Sequence, residues 1–435
     1  MDRLSLTHPA HADRTEFDRN EVRIALLGCG TVGSGVAILL LDSASSISAR
    51  SGAPYTLEAI AVREAEKPRA AEIARELLTD DAAGLVVDPG IDVVIECIGG
   101  TGEAAALVET ALRNGKHVVT ANKDLLATRG PELRALAAEH RVTIAYEAAV
   151  GGAIPIVRTI SESLAGEDIR EVGGVLNGTT NFILSEMFAG AAYRTALERA
   201  QALGFAESDP TNDVEGVDAA HKLAILAQLA FRRALHTAQI PRTGITALRP
   251  DDVTLAKRLG YSLKLVAAAR RQASIVTPAF VPLTHPFAQP AGPQNCIRVS
   301  GRSSGSLTFA GTGAGSAPTA SAVIGDVVAV LRRIAAGRHV GSDASSATLE
   351  PIASGQEASI PLRRVVRLES LRDARPAHAA LAAAGYLAET IDGVPAILTE
   401  RLEGARAARL GESLASHHIT AQSVIPLWED APEGA

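Results

Sequence analysis

The 435-residue chain is short of cysteine, lysine and aromatic residues, and each shortage narrows the functions open to it. Cys29, Cys97 and Cys296 are odd in number and far apart, so they make neither a disulfide framework nor a CxxC metal pattern. A reduced, cytoplasmic setting is expected. No apolar run approaches the ~18 residues of a membrane span, and residues 1–20 lack the basic-then-apolar order of a signal peptide. The expectation is a soluble protein with no membrane partner. A net charge of −7, from 42 basic and 49 acidic residues, is small for this length and of the wrong sign for holding nucleic acid. No histidine pair has HxxxH or HExxH spacing, which argues against a catalytic transition metal.

What is abundant is apolar material, 47% of residues, enough for two or three cores at ~150 residues per domain. Residues 1–20 show no periodicity and read as a mobile leader. Over 21–150, apolar runs at Val22–Leu27, Leu57–Val62, Val93–Ile98, His117–Thr120 and Val142–Tyr146 read as strands. Between them, helices are expected from Val36, over Ala70–Leu78, near Glu103–Asn114 and over Pro131–His140. That alternation specifies a doubly wound parallel α/β sheet of Rossmann type. Residues 151–315 change texture to an α+β substrate and dimerisation unit, with a strand at Ile169–Leu176 and a helix near Tyr193–Leu203. A helix over 316–336 is expected to return to the first unit, and 341–360, rich in Ser and Ala, reads as a linker. Over 361–435 the order strand (Arg363–Leu368), helix (Pro376–Ala384), strands (Leu387–Ile391, Pro395–Thr399), helix (Gly404–Ser416), strand (Ile419–Pro426) is a ferredoxin-like βαββαβ module.

Five motifs are candidates to carry chemistry. Gly28-Cys29-Gly30-Thr31-Val32-Gly33 is a GxGxxG between a strand and a helix, the context in which a pyrophosphate sits on the helix N-terminus. The second strand runs out into Arg63, Lys67 and Arg69, cations that suit the 2′-phosphate of NADP; with Glu64 or Glu58 on the ribose instead, NAD is the alternative. Thr120-Ala121-Asn122-Lys123 follows a strand, where a lysine reaches the ligand crevice or the turn merely caps a helix. Of only six lysines in the chain, a second, Lys222, stands four residues after Asp218 at the start of a helix, behind a stretch holding Glu207, Asp209, Asp213 and Glu215. Such an acidic stretch suits a substrate ammonium. Glu147, followed by glycines and apolar residues, offers one carboxylate and several carbonyls, a set that fits a hard monovalent cation or an ordinary turn. Gly311-Thr312-Gly313-Ala314-Gly315 is a second glycine turn, either a cover for the cofactor or a hinge.

Taken together, GCGTVGSG, TANK, YEAAVGGAIPI, LNGTTNFIL, LGFAESDPTNDVEGVDAAHK and GTGAG closely resemble homoserine dehydrogenase over about residues 22–340. The resemblance implies reversible NAD(P)H-dependent reduction of L-aspartate 4-semialdehyde to L-homoserine, on the route to threonine and methionine. It places the nucleotide on Cys29, Thr31, Val32, Lys123, Gly204 and a glycine of the 311–315 turn, Gly311 or Gly313, beside Gly28, Gly30, Gly33 and Arg63, which the glycine turn and the end of the second strand offer on their own. It places the amino acid on Glu207 and Asp218, makes Lys222 the proton donor, and has Lys123 orient the carbonyl. Glu147 with the carbonyls of Val150, Gly152 and Ile154 matches the family's sodium site. A homodimer or homotetramer is implied. The C-terminal module is similar to an ACT domain, with Ala377 in place of a glycine that admits the effector in that family. Two other readings stand beside this one: a Rossmann oxidoreductase for another small amino-acid carbonyl, and a non-enzymatic amino-acid sensor.

Overall fold

The computed structural model describes residues 21–337, 350–351, 358–369 and 374–430. The leader expected over 1–20, and most of the linker expected over 341–360, lie outside the described residues.

In the first unit β1 (Val22–Leu27) runs through the glycine turn into α1 (Thr31–Asp42) and α2 (Ala44–Ser51), followed by β2 (Tyr55–Ala61) and β3 (Leu78–Thr79). Then come α3 (Ala82–Val87), β4 (Val93–Glu96), α4 (Glu103–Arg113), β5 (His117–Thr120), α5 (Lys123–Glu139) and β6 (Ile144–Ala145). The strands are parallel in the order β3-β2-β1-β4-β5-β6. Chain direction across the sheet reverses between β1 and β4, so their carboxyl ends open a crevice there. Both faces are covered, which is why β1 is apolar without a break from Ile24 to Leu27: Ile24 and Leu26 pack toward α1, Ala25 and Leu27 toward α4 and α5.

The helix expected over Ala70–Leu78 is absent; that segment is a loop with one 3₁₀ turn at Arg75–Leu77, leading into the edge strand β3. Its apolar spacing is helical, but Arg69 Nη1 reaches 2.8 Å to the Cys29 carbonyl and pulls the segment onto the glycine turn. Conversely, α5 starts eight residues before Pro131, which lies inside the helix. The Asn122 side chain caps that start by accepting from the Leu125 amide at 3.1 Å.

The second unit contains β7 (Ile169–Val175), α6 (Gly178–Ala189), α7 (Tyr193–Ala202), α8 (Thr211–Val214), α9 (Val217–Phe231), β8 (Arg233–Ala234) and α10 (Pro250–Arg258). Four strands that the sequence did not announce follow: β9 (Tyr261–Arg270), β10 (Ala273–Pro282), β11 (Gln294–Gly301) and β12 (Gly305–Thr312). α11 (Ser316–Ala335) then packs on α1, so closely that a Cβ on Gly35 would meet the Ala320 Cβ at 3.2 Å.

Short strands β13 (Glu350–Pro351) and β14 (Ala358–Ser359) pair with β8 and β10. The chain ends in β15 (Arg363–Leu368), α12 (Arg375–Ala383), β16 (Ala388–Thr390), β17 (Ala396–Thr399), α13 (Gly404–Ala408), α14 (Leu410–Ala415) and β18 (Ala421–Leu427). The strand order β18-β15-β17-β16 is antiparallel throughout, the arrangement a βαββαβ chain adopts. The single helix expected over Gly404–Ser416 is two short ones. β18 runs beside β10, joining this module to one sheet ordered β12-β11-β7-β9-β10-β18-β15-β17-β16. The sole tryptophan, Trp428, is fully buried in that joint against Phe287.

Candidate active site

The cradle is dictated by its glycines. Gly28 has φ +94°, and a Cβ there would meet the Cys97 carbonyl oxygen at 2.8 Å; one on Gly33 would meet the Gly28 carbonyl oxygen at 2.1 Å. A Cβ on Gly30 would meet nothing within 4 Å, so the turn is tight behind and open in front. The first amides of α1, from Thr31, Val32 and Gly33, have no intrahelical acceptor and lie beside that opening. A cleft of about 280 Å³ extends from it past Arg63, Glu64, Lys67 and Arg69. These residues fit a dinucleotide. Arg69 is committed to the Cys29 and Glu64 carbonyls, whereas Arg63 and Lys67 are exposed. Glu58 lies mid-strand, 3.8 Å from Arg23, away from the strand end.

At the reversal point, buried Glu96 ends β4 and Thr120 ends β5, side by side in the parallel register. Glu96 accepts from the Thr120 hydroxyl at 2.5 Å and from the amides of Ile98 and Gly99 at 2.8 and 2.7 Å. Asn122 donates to the Gly100 carbonyl at 2.7 Å. The loops after β4 and β5 are thereby tied to each other, and Lys123 is set at the first turn of α5.

From there Lys123 Nζ reaches Asp218 Oδ1 at 3.1 Å, while Lys222 Nζ, one turn along α9, donates to Asp218 Oδ2 at 2.7 Å and to the Leu176 carbonyl at 3.0 Å. Asp218 and Lys222 are nearly buried and Lys123 is 38% exposed. Asn177 Nδ2 bridges Asp213 and Asp218, at 2.6 and 2.8 Å. Burial alone would push the Asp218 carboxyl up, but Lys222 and Lys123 outweigh it and hold the group well below the usual carboxylate range. Asp218 in turn raises the pKa of Lys123, against the effect of burial. Asp213 goes the other way, pushed up by burial. A lysine has three N–H donors, and two of those on Lys222 are taken, which leaves one uncommitted. Cross-bracing between α5 and α9 continues next door, where His221 Nδ1 lies 2.7 Å from Asp124.

The sequence-nominated residues do not all converge in the same way. Lys123, Asp218 and Lys222 share one network. Glu207 is exposed, with its carbonyl accepting from Gln201. Gly204 closes α7 at φ +75°, and its amide bonds the Gln201 carbonyl rather than the cradle. The 311–315 turn does reach the cradle: Ser316 Oγ donates to the Thr31 carbonyl at 2.6 Å, and a Cβ on Gly313 would sit 2.0 Å from Asn295 Cγ. The same turn abuts the Glu147 segment, with the Ala153 amide 3.2 Å from the Thr312 carbonyl. The Glu147 carboxylate is buried and accepts from the Val157 and Arg158 amides, at 2.7 and 3.0 Å, and from Arg158 Nε at 3.2 Å. N–H donors surround it, so it does not suit a cation; what the turn offers a cation is carbonyls. Asp213 belongs to the acidic stretch already noted; Asn177, Glu96 and Asn295 are site-building residues to which sequence reasoning gave no role of their own, although polar side chains at the ends of β4 and β5 are a signal for such a role.

Asp326, on α11, accepts from the Glu147 amide at 2.7 Å. Burial, reinforced by the Glu147 charge, raises its pKa from 3.8 to about 7. A carboxyl with a raised folded-state pKa binds its proton more tightly in the fold, so its stabilising contribution is complete below 3.8 and is lost as pH rises through about 7. Accordingly, the melting temperature of the wild type should fall relative to that of Asp326→Asn across this window. A difference independent of pH would show that Asp326 does not titrate there.

A parallel sheet in this order, with a glycine cradle at its reversal point, defines a dinucleotide-binding protein of Rossmann type. Residues 28–147 match the family model "Homoserine dehydrogenase, NAD binding domain", and 155–328 match "Homoserine dehydrogenase". The homoserine dehydrogenase of Bacillus subtilis is 43% identical over 321 residues, covering 73% of this chain and 74% of its own. That of Mycobacterium bovis is 45% identical over 325 residues, covering 72% of this chain and 73% of its own. The crystal structure of a homoserine dehydrogenase from Thiobacillus denitrificans superposes with a TM-score of 0.83 at 34% identity, over 94% of this chain and 98% of that one. A hyperthermophilic archaeal homoserine dehydrogenase in complex with NADPH gives 0.62 at 26% identity, over 71% and 97%. The chain belongs to the homoserine dehydrogenase family, and is an oxidoreductase of amino-acid biosynthesis.

Proposed function

We propose that the lysine–aspartate–lysine network interconverts L-aspartate 4-semialdehyde and L-homoserine, with Lys222 as the proton carrier. The observation behind this is the geometry of Lys222: two of its donors are fixed by Asp218 and Leu176, and the third is available to a substrate oxygen. In reduction Lys222 delivers a proton to that oxygen as negative charge develops there; in oxidation it takes one. Lys123, on the opposite side of Asp218, orients the same oxygen and adds positive charge beside it. Asp218 pairs with both ammoniums, raising the pKa of Lys123, and, with Glu207, binds the amino acid's ammonium. A bound nicotinamide supplies or accepts the hydride. In a steady-state assay homoserine oxidation should proceed with a nicotinamide coenzyme, and the corresponding amino-alcohols of other lengths should be poor substrates. Equal rates across that panel would favour a different carbonyl substrate.

NADP is the favoured coenzyme in this reading, because Arg63 and Lys67 are exposed and line the cleft, whereas Glu58, although exposed, does not line it. An archaeal relative was solved with NADPH, which agrees. Replacing Arg63 and Lys67 together by serine should lower the NADP-to-NAD ratio of kcat/KM about fivefold or more, with NAD turnover little changed. An unchanged ratio would assign the ribose to Glu64.

The carbonyls of Val150, Gly152 and Ile154 are the groups we assign to a sodium ion, which would stiffen the turn that the 311–315 segment packs on. For the C-terminal module we propose an ACT-like role in amino-acid response or in assembly as a homodimer or homotetramer. Ala377 is fully buried in that module's core. A cytoplasmic location completes the reading.

A further inference from the structure

Behind the catalytic network, at the far ends of α5 and α9, lies a cavity of about 400 Å³ lined by Arg134, Arg232 and Arg271. Arg134, on α5, is only 5% exposed, yet its guanidinium meets uncharged partners: the Tyr146 hydroxyl at 3.3 Å, the Gln228 side-chain oxygen at 3.2 Å and the Tyr146 ring. Among the described residues no carboxylate forms an ion pair with it. A buried cation without a counter-charge is costly: Lys222 and Arg367 have one, Lys264 and Arg364 meet uncharged acceptors, and Arg134 is the cation of this second kind that lines the cavity.

A second observation points the same way. α9 ends on Arg232 at φ +50°, in the left-handed region. At the corresponding position α2 and α6 end on Gly52 and Gly190, the residue that tolerates it best. A long basic side chain is thus kept at a strained position on the cavity wall. The acids at the rim are already engaged: Asp168 pairs with Arg271 at 3.2 Å, and Glu167 accepts from the Ser303 and Ser304 amides at 2.9 and 2.7 Å. The cavity therefore carries excess positive charge, facing apolar walls of Leu164, Leu229 and Phe231.

We infer that this cavity binds a small organic carboxylate, its anionic end on Arg134 and Arg232 and its short apolar body against Leu164, Leu229 and Phe231. The planar guanidinium fork suits a carboxylate, and the walls favour an aliphatic body over a bare inorganic anion. The site is separate from the crevice: at 1.5 Å per residue, Arg134 and Arg232 lie about 15 Å along the two helices from Lys123 and Lys222. Because one ligand would touch both helices, its binding is coupled to the approach of the two lysines, and that coupling is reciprocal.

Titration calorimetry on the full chain with 4-methylpentanoate, and with 4-methylpentan-1-ol as the uncharged control, tests this. One carboxylate should bind per chain, with the alcohol weaker by about tenfold or more. Arg134→Gln and Arg232→Gly should each weaken the carboxylate about tenfold, and saturating homoserine with NADP should not displace it. Arg232→Gly relieves strain at an exposed position, so it remains informative even if Arg134→Gln fails to fold. Equal affinity for acid and alcohol, no heat at millimolar concentrations, indifference to Arg232→Gly, or displacement by homoserine would each overturn the inference.

Discussion

Lys222→Met should abolish most of the turnover and leave the coenzyme in place. Removing a positioned proton carrier costs about 10²- to 10⁴-fold in rate, and here the ammonium also offsets developing charge, so the upper part of that range is expected for kcat. The fold should tolerate the change. Methionine fills the aliphatic volume, and Asp218 keeps Lys123 at 3.1 Å and Asn177 at 2.8 Å, so no carboxylate is left buried without a partner. Fluorescence titration should therefore give a coenzyme affinity close to that of the wild type. Near-normal kcat would transfer the proton role to another group; loss of coenzyme binding as well would mean that the substitution had damaged the crevice at large.

Gly33→Ala should produce the converse phenotype. Its Cβ would fall 2.1 Å from the Gly28 carbonyl oxygen, which belongs to backbone and cannot swing aside. The turn has to open, the start of α1 moves, and the amides that face the pyrophosphate lose their aim. Overpacking of this kind costs about 1–3 kcal/mol, or about five- to 150-fold in coenzyme affinity. The lysine network, built on α5 and α9, should be unaffected, so kcat at saturating coenzyme should fall far less than affinity does. An unchanged dissociation constant for NADP and NAD alike would place the nucleotide elsewhere. Gly30→Ala, at the open front of the turn where a Cβ meets nothing within 4 Å, is the matched control for protein stability.

The residues of the candidate site were legible in proportion to how local their signal is. Asp218 and Lys222 are neighbours on a single helix, so i, i+4 spacing alone puts them together. The glycine turn is equally local. Asn177 reaches Asp218 only because β7 delivers it beside the start of α9, and Glu96 meets Thr120 only through the parallel register of β4 and β5. No spacing rule carries that information. The strands β9 to β12 escaped for a different reason. β9 includes Lys264-Leu265-Val266-Ala267-Ala268-Ala269, with alanines that favour helices. They are fully buried between β7 and β10, where a Cβ on Gly173 would already lie 2.5 Å from the Ala267 carbonyl oxygen. Small residues there answer to close packing and not to helix propensity. The helix expected over Ala70–Leu78 fails for the opposite reason: its periodicity is genuine, but the tie from Arg69 to Cys29 makes the segment part of the nucleotide cleft.

The central claim is that the ammonium of Lys222 and the glycine cradle serve one crevice. A crystal structure of the full chain with NADP and L-homoserine bound together tests it most directly. The account predicts the homoserine hydroxyl within hydrogen-bond reach of Lys222 Nζ, about 3 Å, with the pyrophosphate on the first amides of α1. Homoserine bound away from Lys222, with the coenzyme seated on Gly28 to Gly33, would contradict it.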